Sequence, residues 1–458
     1  MSTVSIVTLG CPKNAIDSEG LGGLLAASGH QVIEDPEAAD VVLVNTCGFI
    51  DPARRETVEE VLDLAELKTS AQLRGLIMTG CLVARSAGEL DESLPEVDAF
   101  VDFAAYPRIS EIVTGAAAGT LTTRIFGEPG TRFDPAYWDA TIAAAPRLRF
   151  GRTPWAYLKI AEGCDRGCAF CAIPLMRGKF RSRTIETIET EARHLVASGV
   201  SELSLVSQDS VMWGRDTGEG DFTTLLECLE RIDGLARMRL MYLHPQGVTP
   251  ALIEKIAGSD KIASYFDLSL QHVSPAVLKR MGRWGGRKRF DDMIARIRSL
   301  DAQAALRATF ILGFPGETEA DADEVASFIA DTELDWVGVF TFSHEEGTRS
   351  ATLDRQVPAE VARQRSGMVA SIADDTMSRR AASITGSTLE VLVEKLDIEA
   401  DLWTGRSHRE APEVDGEIRF TSDDHLHVGD FVPVTITGTD GADLTGEHRA
   451  TEPAQTAV

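Results

Sequence analysis

The sequence predicts an α/β chain of three domains: an N-terminal parallel α/β sheet domain, a central partial (β/α) barrel and a C-terminal small antiparallel β barrel. Three observations predict it. Short Val/Ile/Leu-rich runs alternate with helix-compatible stretches from the N-terminus to about residue 350, the pattern of βαβ units. Near residue 385 the pattern changes to short alternating segments parted by Gly and Asp, as in a half-buried antiparallel sheet. Finally, 458 residues suffice for about three domains of ordinary size, and 43% hydrophobic residues can fill their cores.

The first domain is placed at residues 1–126. It holds three apolar runs that each end in a cysteine: "VSIVTLGC" at Cys11, "DVVLVNTC" at Cys47 and "GLIMTGC" at Cys81. Helix-compatible stretches such as "AIDSEGLGGLLAASG" and "DPARRETVEEVLDLAELK" follow the strands. The cysteines are 36 and 34 residues apart, about one βαβ unit each. Strands of such units lie parallel, so their carboxyl ends share one edge and bring the three thiols together. A single apolar thiol is ordinarily just core. Three at the same place in a repeated unit are not.

Residues 127–149 read as a linker, in a stretch carrying Pro, Gly and Arg with little apolar periodicity. Residues 150–384 form the barrel, with strands at "AYLKIAEG", "ELSLVSQD", "RLMYLHP", "YFDLSLQH", "ALRATFILGFPG" and "WVGVFTFSHEEGT". Six strands make the barrel incomplete, since a closed one has eight. Barrels keep their chemistry at the carboxyl ends of strands. Here those ends carry Cys164, Gln208, Asp209, His244, Gln271, His272, Pro315, His344 and Glu345. Each histidine taken singly is more often a satisfied hydrogen-bonding residue than a ligand. Cys228, on an apolar helix face, reads as ordinary core. Residues 385–458 complete the chain.

The N-terminus has no basic region followed by an apolar run, and no segment has the apolar length of a membrane span, so a cytoplasmic protein without a membrane partner is expected. In that reducing compartment seven cysteines are metal ligands, nucleophiles or buried thiols before they are disulfides. A net charge of −26 argues against a protein that coats nucleic acid nonspecifically. The densest cysteine cluster is "GCDRGCAFC", with Cys164, Cys168 and Cys171 spaced Cys-x3-Cys-x2-Cys. A structural zinc site wants four ligands, usually as two paired half-sites. A cubane iron–sulfur cluster held by three thiolates leaves its fourth iron open to a small molecule.

That cluster, with Phe170 before its last cysteine, resembles the radical S-adenosylmethionine signature. The resemblance implies a partial barrel of the radical SAM type. It also implies that S-adenosylmethionine binds the open iron of a 4Fe-4S cluster and is cleaved to a radical that abstracts hydrogen. The stretch "FILGFPGETE", with Gly313 and Pro315, is similar to that family's cofactor-contacting strand end. Together with Cys11, Cys47 and Cys81, the order of domains resembles the methylthiotransferases over nearly the whole chain. This implies a second 4Fe-4S cluster on the N-terminal triad that supplies or carries sulfur, and a TRAM-like terminal barrel. It further implies two other partners: a reduced electron donor such as flavodoxin or ferredoxin, and a sulfur donor. No catalytic acid or base is assigned.

Methylthiotransferases divide by substrate between tRNA adenosine and the β-carbon of an aspartate in small-subunit ribosomal protein twelve. "TLGCPKNAIDSE", "CAIPLMRGKFRSR", "SLQHVSPAVLKRMGR" and "GRSHREAPEVDG" are similar to the protein-modifying branch. Charge agrees. From Glu390 onward there are sixteen acids against five Lys and Arg, a field that attracts a basic ribosomal protein and repels tRNA. The basic clusters Arg177, Lys179, Arg181, Arg183 and Arg280, Arg283, Arg287, Lys288, Arg289 are expected to be solvated or paired with acids rather than to grip phosphate. The acidic module is expected to be removable without harm to the barrel's cofactor chemistry.

Overall fold

The computed structural model describes residues 1–69, 73–127 and 145–449. Most of the expected linker, residues 128–144, lies outside the described residues. The N-terminal sheet comprises β1 (Thr3–Thr8), β2 (Gln31–Ile33), β3 (Val41–Thr46), β4 (Gly75–Gly80), β5 (Ala99–Val101) and β6 (Ile125–Phe126). All neighbours are parallel, in the order β2-β1-β3-β4-β5-β6. The three expected strands are β1, β3 and β4, at the centre of the sheet. Short β2, β5 and β6, which carry no cysteine, flank them. Strands β3 and β4 are buried along their whole length because helices cover both faces, so they read as apolar runs rather than alternations. Those helices are α1 (Pro12–Ala27), α2 (Asp51–Thr69), α3 (Cys81–Ser93) and α4 (Ile109–Ala118). The strand order reverses between β1 and β3. In a doubly wound sheet that switch point opens a crevice at the carboxyl ends of the strands.

The central domain has β7 (Trp155–Lys159), a two-residue hairpin of β8 (Ala161–Glu162) and β9 (Arg181–Ser182), then β10 (Glu202–Val206), β11 (Arg237–Leu240), β12 (Tyr265–Gln271), β13 (Ala305–Leu312) and β14 (Trp336–Thr341). Strands β7, β10 and β11 form one parallel sheet, and β12, β13 and β14 another. The parallel bridges Met238 to Ile262 and Leu243 to Leu268 join the two sheets, completing a six-stranded open barrel in chain order. One apolar cluster runs from Val4 and Leu21 through Ala172 and Met176 to Val206 and Met241 inside the barrel. Sheet domain and barrel therefore share a core. Among the described residues, no helix is long and apolar enough to cross a membrane.

The last domain is a closed barrel of β15 (Thr388–Asp397), β16 (Leu402–Arg406), β17 (Ile418–Ser422), β18 (Phe431–Asp440) and β19 (Asp443–His448), in the order β15-β16-β17-β19-β18. It departs from the expected antiparallel barrel at one pair, because β17 and β19 run parallel. An odd number of strands cannot alternate direction around a closed ring, so one parallel pair is unavoidable.

This module is not the detachable appendage expected. Residues 405–416, the "GRSHREAPEVDG" stretch, dock on the amino ends of the barrel strands. Arg239 donates to the carbonyls of Ser407 (2.9 Å) and His408 (2.6 Å), and the Trp336 indole donates to that of Arg409 (2.6 Å). The Tyr157 hydroxyl donates to the Pro412 carbonyl (3.0 Å), and Arg307 pairs with Asp415 (3.1 Å). Glu202, fully buried at the start of β10, lies within 3.4 Å of Arg237, Arg239 and Arg406. Burial alone would push its carboxyl up, but the three guanidinium groups override this and hold it at about 2.

The folded state thus gains stability from ionised Glu202 above its ordinary pKa of 4.5. That stability drains away as pH falls from 4.5 through about 2. Glu202→Gln is expected to cost about 3 to 5 kcal/mol in urea unfolding at pH 7, since it leaves buried guanidinium groups without their common counterion. It is also expected to flatten the acid limb between those two pH values. A variant unfolding like the parent at both pH values would remove this role.

Candidate iron–sulfur centres

Cys11, Cys47 and Cys81 converge at the switch-point edge of the sheet. Cys11 caps the start of α1, with Pro12 in the first turn where its missing N–H costs nothing. Gly10 makes the turn at a φ of 99°, and a Cβ there would stand 2.8 Å from that of Cys47, so only glycine lets these two loops approach. Asn14 ties the loops together, its Nδ2 donating to the carbonyls of Leu9 (2.8 Å) and Thr46 (3.0 Å). Cys81 opens α3 and is buried, which pushes its thiol up to about 12. Burial raises Cys47 as well.

Cys164, Cys168 and Cys171 lie on the loop between β8 and the helix Ile173–Met176. Backbone bonds fasten that loop on two sides: Ala169 N–H donates to Met281 (2.8 Å), and Ser350 N–H to Ala169 (2.8 Å). Arg166 N–H points at Cys164 Sγ (3.4 Å), while its side chain pairs with Asp209 (2.6 Å). Arg283 Nη1 lies 3.5 Å from Cys168 Sγ. Burial pushes Cys164 up to about 11 and Cys171 up to about 12. All seven cysteines are free thiols. Such thiols ionise when a metal replaces the proton, and a cluster thus turns buried groups into ligands. In neither triad do the thiols converge as ligands of one ion. A cubane does not ask for that, because each thiolate meets a different iron.

The other expected strand-end residues divide. Gln208 donates to Glu162 (2.7 Å), and burial raises the Asp209 carboxyl. His244 accepts from Gln246 N–H, and burial followed by Arg283 and Arg166 holds its pKa at about 2, so it is neutral. His272 Nδ1 accepts from Val273 and Ser274. Gln208 Oε1, Asp209 Oδ1 and Arg283 Nε are buried without hydrogen-bond partners, whereas His272 Nε2 faces Glu317 Oε2 at 3.5 Å. Orphaned polar atoms gathered at a barrel mouth fit a site built for a polar ligand. Gln271 adopts a φ of 71°, and its side chain donates to Thr309 (3.3 Å).

His344 is exposed and does not join the mouth; its Nε2 meets the Ala351 carbonyl. Glu345 proves to be an interdomain tie instead. It pairs with Arg54 and with Arg85 (2.8 Å), which flank the loops of Cys47 and Cys81. Gly313 has a φ of 82°, and a Cβ there would overlap Ala362. Close helix packing is thus one reason for that glycine. The Pro315 carbonyl accepts from Arg280 (2.7 Å). Cys228 corrects the core assignment. It is half-buried and donates to Glu189 (3.3 Å), because its helix turns the leucines, not the thiol, inward.

Sequence reasoning missed the buried network that joins the two triads. Arg177, expected to be solvated or paired with acids, is indeed paired with acids but deep in the core: it reaches Asp17 (2.9 Å) and Glu162 (2.9 Å), and also Cys81 Sγ (3.2 Å) and Asn14 (2.7 Å). Lys159 pairs with Asp17 and with Glu162 (2.9 Å). Burial would raise Glu162, but Arg177 and Lys159 outweigh it and hold that carboxyl at about 2. Arg183 is also buried, pairing with Glu191 (2.5 Å). The second basic cluster matches the expectation better: Arg280 pairs with Asp354, Arg287 with Asp331 and Lys288 with Asp292. Two residues after Cys11, Lys13 Nζ stands 3.0 Å from the centre of the Tyr242 ring. Tyr242 sits at a φ of 59°, a strained conformation for a bulky residue and of a kind that gathers at functional sites. Asn14 and Asp17 lie in "TLGCPKNAIDSE" and Arg177 in "CAIPLMRGKFRSR", the two quoted stretches that pointed toward this network.

Residues 3–102 match Uncharacterized protein family UPF0004, residues 158–329 the Radical SAM superfamily and residues 385–448 the TRAM domain. Among solved structures, the radical S-adenosylmethionine methyltransferase TsrM from Kitasatospora setae shares the fold, at a TM-score of 0.56 and 14% identity, over 76% of this chain and 74% of that one. Barrel, signature loop and N-terminal triad define a radical SAM methylthiotransferase. Two curated relatives narrow the class. One, from Geobacter sulfurreducens, is 40% identical over 97% of this chain and 98% of its own length. The other, from Streptomyces griseus, is 39% identical over 97% of each. Both are named ribosomal protein uS12 methylthiotransferase RimO, and the chain belongs to that family.

Proposed function

We propose that this enzyme adds a methylthio group to the β-carbon of an aspartate in the small-subunit ribosomal protein uS12. Near full-length likeness to relatives named for uS12 is the observation that carries the reading. Cys164, Cys168 and Cys171 would hold one 4Fe-4S cluster, with S-adenosylmethionine on its open iron bordered by Gly313 and Pro315. Cys11, Cys47 and Cys81 would hold the other. When bound, these groups supply one-electron cleavage of the sulfonium, hydrogen abstraction and sulfur.

The protein's own part is placement and charge. Arg177 beside Cys81 and Arg283 beside Cys168 bring positive charge to thiolates that would otherwise be costly to bury. The Asp17, Lys159, Glu162 and Arg177 network holds the triads in one fixed relation. Phe170, edge-on to Phe314 at 6.5 Å, closes the signature loop against the barrel with apolar surface. Exposed Asp397, Glu399, Asp401, Asp423 and Asp424 keep the surface of the terminal module acidic, which suits a basic ribosomal protein. A reduced flavodoxin or ferredoxin as electron donor, a separate sulfur donor and a cytoplasmic location complete the reading. Its domain limits are 1–126, 150–384 and 385–458, with 127–149 as linker.

Mass spectrometry of uS12 and of tRNA from cells lacking the gene tests it. The expected result is an aspartate of uS12 without its methylthio group and unchanged tRNA. Loss of the group from anticodon-loop adenosine, with uS12 unaffected, would overturn the assignment in favour of the tRNA-modifying class.

A further inference from the structure

Residues 343–350, which follow strand β14, touch the loops of both triads. Near one end Glu345, only 1% exposed, has its carboxylate filled by four donors. Oε1 accepts from Asp51 N–H (3.0 Å) and the Ser343 hydroxyl (2.6 Å), and Oε2 from Arg54 and Arg85 (2.8 Å). Asp51 and Arg54 lie in the first turn of α2, which follows the Cys47 loop, and Arg85 stands one turn beyond Cys81 on α3. Arg85 also donates to the carbonyls of Gly48 (3.0 Å), the residue after Cys47, and Glu346 (3.0 Å). A Cβ on Gly48 would stand 2.7 Å from the Cα of Leu82, so the loops of Cys47 and Cys81 lie in contact and are held as a unit. At the other end Ser350 N–H donates to the carbonyl of Ala169 (2.8 Å), between Cys168 and Cys171. Thr348 stiffens the span. Its N–H (3.2 Å) and hydroxyl (2.7 Å) both donate to the Glu345 carbonyl, and the hydroxyl lies 3.0 Å from Ser350 Oγ.

We infer that Glu345 is a positioning residue for sulfur transfer: the strap it anchors fixes the separation of the two triads and so decides what share of the radicals ends in methylthio product. This rests on the uS12 reading above and adds to it the element that couples the two sites. Cleavage of S-adenosylmethionine needs only the signature triad. Sulfur transfer needs the substrate carbon within reach of both sites at once, where a misplacement of about 1 Å can cost about a hundredfold. The Asp17 and Lys159 pair already joins α1 to β7, and the strap joins α2 and α3 to the signature loop. Two ties on different elements oppose a pivot that one would allow. A carboxylate is needed because both of its oxygens accept. Glutamine would turn an NH2 either toward the two guanidinium groups or toward the Asp51 N–H and the Ser343 hydroxyl, and so loosen one side of the tie.

Reconstituted full-length enzyme is given reductant, S-adenosylmethionine and uS12, and both 5′-deoxyadenosine and methylthio-uS12 are counted by mass spectrometry. Glu345→Gln is expected to form 5′-deoxyadenosine within about twofold of the parent, while methylthio product per 5′-deoxyadenosine falls about tenfold or more. Pulsed dipolar electron paramagnetic resonance of the fully reduced parent is expected to give one narrow distance between the clusters, and that of the variant a broader or shifted one. Thr348→Val guards against a Glu345 variant that fails to fold, since it removes the hydroxyl bonds at nearly constant shape and leaves the charges in place. It is expected to lower the same ratio about threefold. An unchanged ratio in Glu345→Gln, or in Thr348→Val where that alone folds, would overturn the inference, as would an unchanged distance. A fall of both products in proportion would also overturn it, because a merely structural tie predicts that. A parent that forms 5′-deoxyadenosine but no methylthio-uS12 would overturn the uS12 reading instead, and the distance between the clusters then decides on the strap by itself.

Discussion

Replacing Cys164, Cys168 and Cys171 together by alanine is expected to abolish reductive cleavage of S-adenosylmethionine and to halve the iron of anaerobically reconstituted protein, from about eight to about four atoms per chain. The expectation follows from two spatially separate triads, each able to hold one cubane. The loop should survive the change, because its anchors are backbone bonds from Ala169 to Met281 and from Ser350 to Ala169, not the thiols. Unchanged iron, or cleavage that persists, would show that these thiols do not hold the open cluster.

The companion replacement of Cys11, Cys47 and Cys81 by alanine is expected to have the opposite profile. Iron again falls by about half and cleavage of S-adenosylmethionine continues, but no methylthio product forms. Division of labour between the two sites is the reason. Fold damage should be limited, because Arg177 keeps Asn14, Asp17 and Glu162 when the Cys81 sulfur is gone; losing that one contact is expected to cost about 1 to 3 kcal/mol. Product analysis by mass spectrometry decides the matter, and methylthio product from the triple variant would make these three cysteines structural.

The terminal module shows where a reading by composition fails. Its sixteen acids were expected to act as a surface field, yet Glu410 and Asp415 are drawn into the contact with the barrel, and Glu394 supports Arg406 there. Cutting the chain before Glu390 would bare Glu202, Arg239 and Trp336 at the amino ends of the strands, so truncation tests folding rather than substrate binding. Separating the two calls for charge changes at exposed acids such as Asp397 and Glu399.

Much of the fold and both triads could be read from the sequence by itself. A strand that ends in cysteine leaves a local pattern, as does Cys-x3-Cys-x2-Cys on a loop, and the parallel topology of βαβ units then brings Cys11, Cys47 and Cys81 to one edge without further information. The tertiary structure alone decided what surrounds them. Asp17 meets Lys159 across 142 positions, Arg177 meets Asp17 across 160 and Arg406 meets Glu202 across 204. It also decided that Lys13 faces Tyr242 rather than an acid, and that "GRSHREAPEVDG" closes the barrel floor. The physical reason is range. Periodicity and ligand spacing report energies between residues close along the chain, whereas an ion pair between domains depends on how already formed domains pack, and no short stretch of sequence carries that information.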